Sequence, residues 1–338
     1  MLNFGNLRQV NTPIVSIVVV VYDMPRQALN TLRSLKADHQ VGVRPDEYEV
    51  IVVENCSSNC LPQSEVDRLP ANFRHVLRDE TEPTPVHAVN HGAQLATGRN
   101  ICVMIDGARM VTPGVVAGLV RGHRISSAAI VTVPGYHIGS ELQQNAVESG
   151  YDEEADQALV ASTGWPDNGY GLFDIACFSE SCAVGFFLPN GESNCISMPR
   201  RVWEVLRGCD PRFNLRGGGL VNLDLYKRAC EFPGVQHVLL PGEGTFHQFH
   251  GGVTTGGDPK ARRQALIAEI RAQYRAIRGE DFTRPETRPI FLGELPAQAL
   301  RFMAVSCASA QAQYERERSE NRHNVGNLKQ LSVGAKPG

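Results

Sequence analysis

Three carboxylates stand where apolar runs of the chain give out: Asp23 after IVSIVVVV (14–21), Glu54 at the end of EVIVVE (49–54) and Asp106 after ICVMI (101–105). Apolar, β-branched runs of this length read as strands buried on both faces. Where such strands alternate with helices in a parallel sheet, ligands bind beyond the carboxyl ends of the strands. Three acids at that edge can accept hydrogen bonds from ligand hydroxyls and amines, or hold a cation. Each taken singly is also what a helix cap or a turn would use. No GxGxxG follows the first run, and no GxxxxGK[ST] occurs anywhere. A diphosphate bound without such a loop must be neutralised another way, and a divalent cation on Asp106 does so with few protein ligands.

The elements that position these acids follow from periodicity. Pro25 opens a helix whose stripe is Ala28, Leu29, Leu32 and Leu35. A weaker strand is expected at 74–78, and a helix over 85–97 carries Val86, Val89, Ala93 and Ala96 on one face before Gly98 stops it. A helix around 113–123 and a strand at 129–134 complete an α/β, doubly wound, mostly parallel sheet. From about 135 to 190 the periodicity fails, and isolated aromatics such as Trp165, Tyr170 and Phe173 sit among Gly, Asn, Ser and acids; this reads as a long irregular functional stretch. Order returns with a strand at 194–198, a helix at 199–207, a Gly-rich turn at 216–219 and a helix at 222–231. Residues 259–278 form an amphipathic helix with Leu266, Ile270, Tyr274 and Ile277 on one face and Arg262, Arg263, Arg271, Arg275 and Arg278 on a solvated one. The stretch after 315 is polar and reads as a frayed end.

Composition bounds the function classes. The 338 residues carry a net charge of −3, with 42% hydrophobic and 20% charged residues, which suits a soluble enzyme. There is no bulk electrostatic case for nucleic acid or an anionic membrane. The longest apolar run is too short to cross a bilayer and lacks the start of a signal peptide, so no transmembrane segment is expected. The expected location is the cytoplasm, with at most a peripheral hold on the inner face of a membrane. Nine cysteines in a long chain do not read as a disulfide framework, and Cys56 and Cys60 are too isolated for a zinc site.

The segments VSIVVVVYDMP (15–25), YEVIVVENCSSN (48–59), AVNHGAQLATGRNICVMIDGARMVTPG (88–114) and NCISMPRRVWEVLRGCDPRF with GGGLVNLDLYKRA (194–229) resemble family 2 glycosyltransferases of the GT-A fold, over residues 13–255. The resemblance implies a Rossmann-like fold with a nucleotide-sugar half (13–134), a mixed acceptor-side half (135–255) and, beyond a domain spanning 1–255, a C-terminal helical extension (256–338) offering a homodimer surface. It implies transfer of a sugar from a nucleoside-diphosphate donor, UDP foremost, to a saccharide or other glycoconjugate, inverting, with Mn²⁺ or Mg²⁺, as in polysaccharide biosynthesis. Carried over by residue, Glu54 and Asn55 contact the nucleobase and ribose, and Tyr22 and Asp23 line that pocket. Asn90 and Gly92 match a helix-start motif of the donor site. Asp106 is the first acid of the metal-binding DxD motif. Asp224, within Leu223-Asp224-Leu225 and followed by Arg228, matches the acceptor-side motif.

Two departures qualify the carry-over. The DxD motif reads Asp106-Gly107-Ala108, so its second acid is missing. His247 and His250 are candidates to complete the metal site, and imidazole favours Mn²⁺ over Mg²⁺; Arg109 could instead pair with a phosphate; and the histidines also suit a plain turn before Gly251-Gly252. The family's acidic pair is Val221-Asn222, and Asn222 cannot deprotonate an acceptor. Asp224 is the preferred base, with Asp174 or Glu180 from the irregular stretch, or a reaction without a protein base, as alternatives. The acceptor is expected over Arg216, Gly217, Gly218 and Gly219, with Trp165 either stacking on a sugar or anchoring its own loop. A non-catalytic nucleotide-sugar-binding or scaffold protein is the competing reading.

Overall fold

The computed structural model describes residues 12–251 and 260–333. The strands are β1 (Val15–Val21), β2 (Tyr48–Asn55), β3 (Phe73–Arg78), β4 (Asn100–Met104), β5 (Arg109–Val111), β6 (Ala129–Thr132), β7 (Gly135–Ile138), β8 (Ala176–Phe178), β9 (Ile196–Pro199), β10 (Gln236–Leu239), β11 (Thr245–His247) and β12 (Ile290–Phe291). The helices are α1 (Pro25–Ser34), α2 (Gln63–Val66), α3 (Val86–Leu95), α4 (Val115–Ile125), α5 (Gln143–Ala146), α6 (Glu153–Ser162), α7 (Arg200–Leu206), α8 (Val221–Cys230), α9 (Lys260–Arg278) and α10 (Arg301–Val333).

Eight strands form one sheet in the order β12-β10-β6-β9-β4-β1-β2-β3, with β1 parallel to both β2 and β4. Only β9 runs antiparallel, between β4 and β6. This is the mostly parallel, doubly wound arrangement that the alternating strands and helices imply. Because side chains alternate across a strand, β1 feeds two cores. Val15, Ile17, Val19 and Val21 meet α1 and α4 residues, whereas Val18 and Val20 meet residues of α3, α8 and α9. That is why the run carries no polar face.

Residues 135–190 are not one irregular stretch. They supply β7, β8, α5 and α6, and a second sheet ordered β5-β11-β7-β8. Its strands are three or four residues long and two of its partners lie outside the segment, so the pairing is invisible to local periodicity. Behind it Tyr136, Phe173, Phe178, Phe246 and Phe302 form an aromatic core. Phe302 lies on α10, and Ile270 and Tyr274 of α9 are buried in the main core, so the apolar face of α9 is turned into its own chain. The stretch after 315 continues α10 to Val333. The side chain of Arg262, and Gly252, lie outside the described residues.

Candidate metal and donor site

The second sheet decides the site. In its register Arg109 on β5 lies opposite His247 on β11, which lies opposite His137 on β7. Asp106, just beyond β4, faces that row. Its Oδ2 is 3.1 Å from His247 Nε2, its Oδ1 is 3.8 Å from His250 Nε2, and the two imidazole Nε2 atoms are 3.2 Å apart. One ligand atom from each of the three residues lies within 4.8 Å of the others.

The tautomer of His247 is set by its neighbour. His247 Nδ1 is 2.6 Å from Gln143 Oε1, an acceptor only, so Nδ1 carries the proton and Nε2 offers its lone pair to the cluster. Gln143 cannot turn over, because its Nε2 donates to the carbonyls of His247 and Ile138. Burial, reinforced by Arg109 and against the pull of Asp106, pushes His247 down to about 4, so it is neutral near pH 7 as a metal ligand must be. Burial alone would raise Asp106; His247 and His250, when protonated, and the Arg109 guanidinium outweigh it and hold the carboxyl well below its ordinary value. Arg109 contacts Asp106 through Nε at 3.3 Å, and its buried Nη1 has no partner among the described residues. One carboxylate, two imidazole nitrogens and a guanidinium nitrogen with no acceptor among the described residues suit a divalent cation with an anion beside it.

At the other end of the edge Asp23, at φ 50°, accepts from Ser58 N (2.6 Å), Ser58 Oγ (2.9 Å) and Asn59 N (2.9 Å). Desolvation works against its charge, but the Asn59 and Ser58 hydrogen bonds outweigh it and hold the carboxyl below its usual value. Tyr22 beside it is 49% exposed and free to meet a ligand. Glu54 is a correction: its carboxylate is buried, accepts from Leu61 N at 3.1 Å and pairs with His75 at 2.9 Å, so it braces the 56–61 loop instead of facing the pocket. Asn55 is buried, and its Oδ1 has no partner among the described residues.

Four other candidate residues have structural partners of their own. Asn90 turns away from the edge and brackets Cys209, donating to its carbonyl at 2.8 Å and accepting from its N–H at 3.0 Å. Gly92 serves packing: a Cβ there would stand 2.4 Å from Val18 Cγ1, so only glycine lets α3 lie this close to β1. Trp165 lies against His39 and under Arg33, anchoring its own loop. Asp224 is 1% exposed and its oxygens are taken by Arg228 Nε at 2.7 Å and by Arg278 Nε and Nη2 at 2.6 and 2.8 Å, which leaves no free face for a base. Arg278 is therefore no solvated arginine; it ties α9 to Asp224 and, at 3.0 Å, to Asp210.

Arg216–Gly219 form a tight turn in which Gly217, Gly218 and Gly219 all have positive φ, and Gly217 N donates to Pro83 O at 3.0 Å. Among the alternative bases, Asp174 and Glu180 are exposed, with Glu180 accepting from Gln144 at 3.2 Å. Asn222 is 6% exposed and its Nδ2 donates to Glu192 Oε2 at 2.8 Å. The sequence singles out neither Gln143 nor Glu192 and reads His137 as an ordinary loop residue, whereas His137 lies on β7. Gln143 and Glu192 belong to no motif, and His137 acquires meaning only from its place beside His247.

Residues 16–180 match the sequence model of glycosyl transferase family 2. That span holds Asp23, Glu54 and Asp106 but ends before His247, His250 and Glu192. No curated protein sequence matches the chain. Among solved structures, the mannosyltransferase PcManGT from Pyrobaculum calidifontis, in complex with GDP-Man and Mn²⁺, is 14% identical, with a TM-score of 0.48 over 95% of this chain and 81% of that one. TarS from S. aureus is 10% identical, with a TM-score of 0.46 over 78% of this chain. Its residues 1–349 in complex with UDP-GlcNAc are 12% identical, with a TM-score of 0.47 over 77% of this chain and 66% of that one. The chain spans 43% of the length of full TarS. No helix among the described residues is long and apolar enough to cross a membrane. Residues 16–180, a little under half of the chain, are thus similar to glycosyl transferase family 2.

Proposed function

We propose that the protein transfers a glycosyl group from a nucleoside-diphosphate sugar, UDP-linked in the first instance, to a hydroxyl of a saccharide or other glycoconjugate. The observation that carries the reading is the convergence of Asp106, His247 and His250 beside a buried Arg109 nitrogen that has no partner among the described residues. The match of residues 16–180 to the family model suggests the reaction class; the cluster supplies a way to handle the diphosphate without a Gly-rich loop.

Asp106 and the two histidines would hold Mn²⁺ in preference to Mg²⁺, since imidazole suits the softer ion. When bound, the cation neutralises the donor's diphosphate and the charge that grows on the leaving group. Arg109 offers Nη1 to a phosphate oxygen, a charge-assisted hydrogen bond aimed at the same developing charge. Asp23 and Ser57–Asn59 shape the pocket where Tyr22 lies open to the nucleoside. The turn at Arg216–Gly219 and the start of α8 form the acceptor side.

The test is thermal stabilisation by UDP with Mn²⁺ or with EDTA, alongside release of nucleoside diphosphate from UDP-GlcNAc and GDP-mannose. Wild-type protein should be stabilised by UDP and Mn²⁺ together, and Asp106→Ala should lose that gain. Equal stabilisation of Asp106→Ala would sink the metal assignment. Stabilisation without turnover of any donor would favour the non-catalytic binding protein.

A further inference from the structure

The family's acidic pair is absent at Val221-Asn222, and Asp224 is locked by two arginines. The fold nevertheless brings another carboxylate to that place. Strand β9 is antiparallel to β4, with Ile196 opposite Val103, and Cys195 Sγ is 3.6 Å from Cys102 Sγ. The chain entering β9 therefore lies at the carboxyl edge of β4, where Asp106 follows. Glu192 is on that approach and is half-buried. Its Oε2 accepts from Asn222 Nδ2 at 2.8 Å and its Oε1 from Ser181 Oγ at 2.7 Å.

Three features distinguish Glu192 from a surface acid. Among the described residues no Lys, Arg or His pairs with it, and its carboxylate meets the neutral donors Ser181 and Asn222. Asn222 is fixed in its orientation: Nδ2 reaches Glu192 Oε2, Ser193 O and Asn194 Oδ1, all acceptors, so the amide cannot flip without facing them with its oxygen. The segment is also tied to the second sheet: Cys182 Sγ lies 3.7 Å from the Glu192 carbonyl oxygen and accepts from Gly135 N at 3.3 Å, at the start of the strand that carries His137.

We propose that Glu192, held by Ser181 and Asn222, is the catalytic base that deprotonates the acceptor hydroxyl. The inference rests on the glycosyl-transfer reading. As the acceptor oxygen forms its bond to the anomeric carbon, its proton passes to Glu192. The bond from that carbon to the donor's phosphate oxygen breaks, and its electron pair leaves with the nucleoside diphosphate. Attack from the face opposite the leaving group inverts the anomeric centre. Asn222 is a positioning residue: where the family carries an acid, this chain carries an amide that holds an acid from another segment.

The experiment compares wild type, Glu192→Gln and Glu192→Ala for hydrolysis of UDP-GlcNAc and GDP-mannose, with water standing in for the acceptor, and for stabilisation by UDP with Mn²⁺. Glutamine can keep both hydrogen bonds but not the base. The expected result is a loss of about 10²–10⁴-fold in turnover for Glu192→Gln, with stabilisation by UDP and Mn²⁺ unchanged. Added formate should restore part of the turnover of Glu192→Ala, which a purely structural carboxylate would not permit. Turnover of Glu192→Gln within a few-fold of wild type overturns the assignment and leaves the transfer reading standing. Parallel loss of turnover and of stabilisation overturns it in favour of a donor-binding role. A wild type that turns over neither donor removes the transfer reading and this inference together.

Discussion

Asp106 and Asp224 are both carboxylates set into the body of the protein with arginines beside them, yet their surroundings are opposite. Asp224 is 1% exposed and receives three short hydrogen bonds from Arg228 and Arg278, so every charge there is matched. Asp106 keeps 20% of its side chain exposed, meets one arginine at 3.3 Å, and shares its space with two imidazole nitrogens that both point lone pairs or protons inward. A carboxylate whose partners are all present holds a fold together; one whose partners still lack theirs is built for something that arrives later. The comparison moves the chemistry of the acceptor side away from Asp224.

The largest effect should come from breaking the saturated side. Asp224→Ala leaves Arg228 and Arg278 facing each other without their shared counter-charge, and removing one partner of such a buried pair costs about 3–5 kcal/mol. Urea unfolding should show that loss, while protein kept folded at low temperature retains binding of UDP with Mn²⁺. A stable Asp224→Ala without turnover would return Asp224 to the chemistry and erase the contrast.

The open side should respond differently. Gln143→Leu removes the acceptor that fixes the His247 tautomer. Losses of such supporting groups weaken metal binding by about 10–100-fold, here read as the Mn²⁺ concentration needed for UDP-dependent stabilisation. An unchanged Mn²⁺ requirement would detach Gln143 and His247 from the cation.

The smallest effect concerns pH. Burial pushes His123 down from 6.5 to about 4. Its folded value lies below its unfolded one, so its stability contribution is full above 6.5 and is lost as pH falls toward the folded value. Between 6.5 and about 5.5 that amounts to about 1 kcal/mol for this single group. His123→Gln should flatten the dependence of the melting temperature on pH by that much, leaving Mn²⁺-dependent binding intact. An unchanged slope would mean that the acid sensitivity resides elsewhere.

Some of this was legible in the chain itself. The β-branched run at β1, the stripe of α1 and the alternation of strands with helices are local patterns, and they yielded the parallel sheet and the edge on which Asp23, Glu54 and Asp106 lie. Ordered motifs pointed to the family, and the histidines at 247 and 250 stood out because a motif acid was missing. The second sheet was hidden, because strands of three or four residues drawn from β5, β7, β8 and β11 have no periodicity long enough to read.

What the sequence by itself determined is therefore the framework and which residue types are present at its edge, since burial on both faces of a strand writes itself into consecutive residues. Only the tertiary structure decided the state of each carboxylate: Glu54 braced by His75, Asp224 saturated by Arg228 and Arg278, Asp106 gathered with two histidines, and Glu192 laid against Asn222. The reason is physical. The chemistry of an ionisable group is set by the charges and hydrogen-bond partners within a few ångströms of it, and here those partners come from segments 4 to 144 residues away along the chain.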